Sequence, residues 1–275
     1  MTFWLALLLG VVQGITEFIP VSSSGHLAIF EQLFGLKQPA EGYVLLTAML
    51  HLGTLIAVLI ALRRDLAPML RTTIEHIQAG GGAKNPPPAA RTLGLVLLAT
   101  VPLIIALFFY GSVAKLYKNL TFVGIAMLGT GVILYVSETF LKSGKTKSGG
   151  LTPKNALLIG IGQLIAVLPG VSRLAITTSF SRAVGLERNF ALRFSLLLSI
   201  PAILGGTVIS LINAVRAKID WTAFPLYIVG LIVSALIGLV AIRVLWRIMR
   251  SRKLVTVAYY CAAVGGLTFI LSLIF

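Results

Sequence analysis

Long apolar stretches alternate along this chain with short polar ones. Six of them, about 43–62, 92–110, 120–140, 193–213, 224–246 and 254–275, continue for the ~20 residues a helix needs to cross a bilayer. Their continuity predicts helices, because a membrane barrel strand shows only about ten residues of alternating polarity. Two further stretches, about 2–36 and 154–187, are apolar but interrupted. The first is broken by Pro20-Val21-Ser22-Ser23-Ser24-Gly25, the second by Pro169-Gly170-Val171-Ser172. Proline removes a backbone donor and stops a helix, and irregular backbone at membrane depth is tolerated only inside protein or beside a wet cavity. The pattern therefore predicts two re-entrant helical hairpins. An ordinary kinked pair of spans fits the same pattern.

Composition narrows the class. Of 275 residues, 57% are hydrophobic and 11% charged, and mean hydropathy is +0.99. A soluble domain carries about 25% charged residues, so a water-soluble enzyme, a disordered chain and a coiled coil are excluded. The fold class expected is an all-α polytopic membrane protein with six transmembrane helices and two re-entrant hairpins. Net charge is +15. The basic residues sit between apolar runs, which points to lipid headgroups and topology and away from nucleic acid. Thirteen of them (Arg63, Arg64, Arg71, Lys84, Arg91, Lys142, Lys145, Lys147, Arg243, Arg247, Arg250, Arg252 and Lys253) fall on one side of a six-span arrangement. Four (Lys115, Lys118, Arg216 and Lys218) fall on the other. The positive-inside rule places the first group in the cytoplasm and both termini outside. The first 19 residues lack a basic leader and a cleavage site and are read as mature protein. Segment 63–91 is read as a loop, Glu138 as a solvated interface charge, and the single Cys261 as uninformative.

The chain echoes itself. Gly10-Val11-Val12-Gln13 returns as Gly160-Ile161-Gly162-Gln163, and Pro20-Val21-Ser22 as Pro169-Gly170-Val171-Ser172. Residues 1–141 and 154–275 would each hold one hairpin and three spans, joined by the basic linker 142–153. Three spans is an odd number, so the second half enters the membrane inverted. Such a repeat places a site where the broken hairpins meet.

Ionisable groups inside apolar segments are expensive and mark function by default. Glu17, His26, His51 and Arg173 stand out. Gln13 shares a helical face with Glu17. Ser22, Ser23 and Ser24 bring hydroxyls to a helix start, where backbone N–H groups favour an anion. The Arg173 guanidinium suits phosphate oxygens and keeps its charge. Together they suggest a phosphate-handling site. In the plainer alternative the serines cap a helix and Glu17 pairs with Arg173 as packing. His51, alone on an apolar helix, is read as structural.

Gln13-x-x-x-Glu17-Phe18-x-Pro20-Val21-Ser22-Ser23-Ser24-Gly25-His26 resembles the first signature of the undecaprenyl-diphosphate phosphatase family, the bacitracin-resistance phosphatases. Pro169-Gly170-Val171-Ser172-Arg173 resembles the second, and the similarity covers essentially the whole chain. The resemblance implies hydrolysis of a C55 polyprenyl diphosphate at the outer face of the bacterial inner membrane, with Mg²⁺ or Ca²⁺ as cofactor. It implies Ser23 as nucleophile, His26 as acid/base, Arg173 as phosphate clamp, and Glu17 and Gln13 as the acidic/amide pair at the metal. Ser22, Ser24, Gly25, Ser172 and Thr177 would surround the phosphates. The second signature departs from the family at Leu174 and Ala175, where serine and glycine are usual. A polyprenyl-phosphate flippase is the rival reading, since broken helices in inverted repeats are also a transporter device. Substrate lipid and membrane lipids are the expected partners, and a homo-oligomer is left open.

Overall fold

A computed structural model describes residues 2–35, 41–80, 86–141, 144–147, 150–216, 221–251 and 254–274. The basic residues Lys84, Lys142, Lys218, Arg252 and Lys253, and parts of the 142–153 linker, lie outside them. The described residues are helical, with one isolated bridge between Thr146 and Leu186 and no strand.

The first broken stretch forms α1 (Phe3–Phe18) and α2 (Ser23–Leu33); the second forms α9 (Pro153–Ile165) and α10 (Arg173–Ala183). Between them lie α3 (Glu41–Ala61), α4 (Arg63–Gln78), α5 (Pro88–Thr100), α6 (Ile104–Phe108), α7 (Tyr110–Leu116) and α8 (Leu120–Phe140). The chain closes with α11 (Arg188–Arg216), α12 (Phe224–Arg250) and α13 (Leu254–Ile274). Six segments are long and apolar enough to cross a membrane: α3, α5 continued through α6, α8, α11, α12 and α13.

The ends follow local chemistry. Side chains of Thr2, Asn119 and Thr152 cap α1, α8 and α9 by accepting backbone N–H groups. Ile19 is forced extended by Pro20 and ends α1. The span expected at 92–110 starts earlier, at Pro88, because proline is favoured in a first helical turn. It is interrupted at Val101–Leu103 by a 3-10 turn around Pro102.

Segment 63–91 is not wholly a loop. Residues Arg63–Gln78 form α4, whose apolar positions recur every three or four residues. Met69 is buried against the core, while Leu70, Ile74 and Ile77 stay exposed on one stripe. That stripe has the character of a helix lying in the headgroup boundary. The core is built where α8 meets α13, and where α12 meets α1 and α3. Small residues let α8 and α13 approach closely: a Cβ on Gly124 would sit 2.7 Å from the Phe269 backbone nitrogen.

Candidate active site

The two breaks touch each other. A Cβ on Gly25 would lie 3.1 Å from the Gly170 Cα, so neither break has room for a larger residue there. The Gly170 N–H donates to Ser24 Oγ (3.3 Å). Thr130, on α8, stitches the second break in place. Its hydroxyl donates to the Gly170 carbonyl (3.0 Å) and accepts the Ser172 N–H (3.0 Å). Gly170 has φ +90°, which glycine adopts without strain. Ser22, with φ +73°, is a non-glycine residue in the left-handed region. Such strain is held by surrounding structure and clusters at functional sites. The Ser22 hydroxyl accepts the Gly25 N–H (3.1 Å) and so caps α2. Ser172 caps α10 likewise through the Ala175 N–H (3.3 Å). Two helix N-termini therefore open at the junction.

Glu17, at the end of α1, is the hub. Its Oε1 accepts Arg173 Nη2 from the other break (2.7 Å). Its Oε2 accepts both Ser23 Oγ (2.8 Å) and Gln13 Nε2 (3.0 Å). Arg173 Nη1 and Gln13 Oε1 are buried without a hydrogen-bond partner. Buried polar atoms left open are costly, and these two flank the carboxylate, where a ligand would satisfy them. His26 is oriented from both sides: Nδ1–H donates to the Ser22 carbonyl (2.8 Å), leaving Nε2 to accept the Tyr260 hydroxyl (2.8 Å). The rings of His26 and Tyr260 stack with centroids 5.7 Å apart.

Of the residues picked out by sequence, Gln13, Glu17, Ser23 and Arg173 form one connected network, and Ser22, Ser24, Gly25 and Ser172 line its backbone. Ser23 does not hydrogen-bond His26; its partner is Glu17. Thr177 is fully buried and donates to the Arg173 carbonyl within its own helix (2.9 Å). Leu174 and Ala175 are buried in two apolar clusters, Ala175 beside Val21. The departure from the family pattern thus falls in the packed core. His51 donates from Nδ1 to the Thr47 carbonyl (2.8 Å) and lies within electrostatic reach of Glu17. Tyr260, Thr130 and Tyr117 were not foreseen. Tyr117, just before α8, shares a hydrogen bond with Ser24; burial first, and then the Glu31 carboxylate, push its phenol up to about 12.

A second ionic cluster corrects the reading of Glu138, which is buried and not solvated. It takes Arg182 Nη1 on one oxygen (3.1 Å) and Arg188 Nη1 on the other (2.8 Å). Arg182 also donates to the Leu141 carbonyl (2.7 Å) and Arg188 to the Met249 carbonyl (2.7 Å). The cluster ties the far ends of α8, α10 and α12 to the start of α11.

These helices and this junction define a class: a multi-span membrane protein with a buried polar centre where two broken helix pairs meet. Comparison with known proteins adds the family. The bacitracin resistance protein BacA model matches residues 6–267, and the chain belongs to that family. An undecaprenyl-diphosphatase of Alkaliphilus metalliredigens is 34% identical over 278 residues, covering the whole of both chains. One from Syntrophotalea carbinolica is 36% identical over 99% of this chain and 100% of its own. One from Desulfosudis oleivorans is 37% identical over 94% and 95%.

Proposed function

We infer that this chain is an integral membrane phosphatase that hydrolyses undecaprenyl diphosphate to undecaprenyl phosphate and inorganic phosphate. This returns the carrier lipid to peptidoglycan synthesis and gives the bacitracin resistance of the family. The observation that carries the reading is the Glu17 carboxylate, which binds the clamp Arg173 and the nucleophile Ser23 at once. A flippase would use the arginine but has no need of an activated serine.

The prenyl tail stays in lipid while the diphosphate enters the junction. Arg173 Nη1 and the N-termini of α2 and α10 take the phosphate oxygens; such fixed positive groups supply most of what phosphoryl transfer demands. Ser23 Oγ attacks the terminal phosphorus and its proton passes to Glu17. The bridging P–O bond breaks and undecaprenyl phosphate leaves. Water then attacks the phosphoserine: its proton passes to His26, the P–Oγ bond breaks, Ser23 Oγ takes its proton back from Glu17, and phosphate leaves. His26, held by Tyr260, moves protons at the leaving and attacking oxygens.

Mg²⁺ or Ca²⁺ fits this centre in one mode. Among the described residues no group of three or more His, Cys, Asp or Glu could hold a metal alone. Glu17 and the open Gln13 Oε1 offer two hard oxygens, and Mg²⁺ commonly binds one or two carboxylates plus substrate phosphates. Bound so, the cation would neutralise diphosphate charge.

The architecture we propose is an inverted repeat of two halves, 1–141 and 154–275, each with a re-entrant hairpin and three spans. The packing supports it. Helix α1 lies on α12 as α9 lies on α5, while α3 meets α11 and α8 meets α13, the exchange a two-fold axis produces. The charge pattern supports an inner-membrane protein with both termini outside and the site open to that side.

The test is phosphate release from undecaprenyl diphosphate by purified protein, beside Ser23→Ala. Loss of about 10³-fold or more is expected for an activated nucleophile. Full activity in the variant would remove Ser23 from the reaction.

A further inference from the structure

The last turns of α12 carry Arg243, Arg247 and Arg250, spaced four and three residues apart and so on one face. All three are exposed. Among the described residues none of them has an ion-pair partner. With Trp246 and Ser251 they line an open groove of about 630 Å³ that contains no acidic side chain. Trp246 is half-buried against the core, and the Arg193 guanidinium lies over its ring at 5.7 Å. The sequence continues with Arg252 and Lys253. The Glu17–Arg173 centre uses none of these residues.

Three unpaired guanidiniums on one helix repel each other, and a helix C-terminus relieves only part of that. An anion in the groove would relieve the rest. The groove sits at the end of a helix long and apolar enough to cross a membrane, and it offers an indole of the kind that favours the headgroup layer. We propose that this groove binds the phosphate headgroup of an anionic membrane phospholipid. Guanidiniums hold the phosphate oxygens in forked pairs, and Trp246 packs against the glycerol. The ligand is a structural lipid on the face carrying the basic loops.

The test reads Trp246 directly. In a Trp4→Phe/Trp221→Phe background it is the sole tryptophan. The protein is placed in vesicles containing brominated phosphatidylglycerol or brominated phosphatidylcholine at equal mole fraction, and fluorescence quenching is measured. Stronger quenching by the anionic lipid is expected. The preference should vanish in Arg243→Gln/Arg247→Gln/Arg250→Gln. If that variant loses its gel-filtration profile, Arg247→Gln alone should lower apparent lipid affinity about fivefold, the equivalent of about 1 kcal/mol per basic residue at an anionic surface. Equal quenching by the two lipids would overturn the proposal, as would a preference that survives removal of the arginines. Equal quenching by the two lipids together with a Trp246 fluorescence change on adding millimolar inorganic phosphate would show that the groove takes free anions and not lipid, and would overturn it as well.

Discussion

Gly170→Ala probes the junction without touching a charged or nucleophilic group. Gly170 has φ +90°, a conformation that costs an L-residue about 1–2 kcal/mol. The added methyl would lie 2.5 Å from the Val123 carbonyl oxygen and 2.8 Å from the Ala126 Cβ, both on α8. Overpacking of that degree costs about 1–3 kcal/mol. Both penalties fall if the break retreats from α8, but Thr130 holds the break there through Gly170 and Ser172. Retreat carries Arg173, one residue further on, away from Glu17. A displacement of ~1 Å at reacting groups costs about 100-fold in rate. The expected outcome is a protein that purifies as a single species and releases phosphate from undecaprenyl diphosphate about 100-fold more slowly. Gly205→Ala is the control: it lies in open space within α11 and should leave turnover unchanged. Wild-type turnover in Gly170→Ala would refute the argument that the two breaks must touch for the site to work.

Other expectations concern stability and pH. Glu138→Gln removes the carboxylate charge that both Arg182 and Arg188 engage in a buried site, and breaking such a cluster costs about 3–5 kcal/mol. A fall in Tm of at least about 6 °C is expected in a thermal scan in detergent, and an unchanged Tm would show the cluster to be neutral in energy. Tyr117 keeps its proton up to about 12 in the folded protein against an ordinary value of 10.0. The unfolded chain therefore ionises first, and Tyr117 contributes a loss of stability as pH climbs from 10.0 towards about 12. Tyr117→Phe should remove that part of the decline in a denaturation series, and an identical decline would exclude it.

The spans and both breaks were legible because each signal is local: unbroken apolar length, or proline and glycine among hydroxyls. The Glu17–Arg173 pair is the contact that the plainer alternative expected, since each is a charge that lipid would not tolerate alone; what that alternative did not expect is that the same carboxylate also holds Ser23. Helix α4 was obscured by its charges, although Leu66, Met69 and Thr73 carry a helical period beneath them. Glu138 looked like an interface charge because it ends α8, and nothing local announced that Arg182 and Arg188 would converge on it from later in the chain. The resemblance implies Ser23 as nucleophile and His26 as acid/base, but the two side chains do not meet. The strained Ser22 turns the chain so that Ser23 reaches back to Glu17, while His26 reaches Tyr260 on α13. Tyr260 and Thr130 lie in ordinary apolar helices, and only tertiary packing gives them their roles.

An ion pair joining two helix breaks is proposed to hold the phosphate-cleaving centre. Phosphate release from undecaprenyl diphosphate in nanodiscs, by the wild type, Arg173→Ala and Arg173→Lys, tests it most directly. Alanine should abolish release in a protein that remains monodisperse. Lysine, which keeps the charge and loses the fork, should restore only part of it. Wild-type release from Arg173→Ala would show that the ion pair is not part of the cleaving centre.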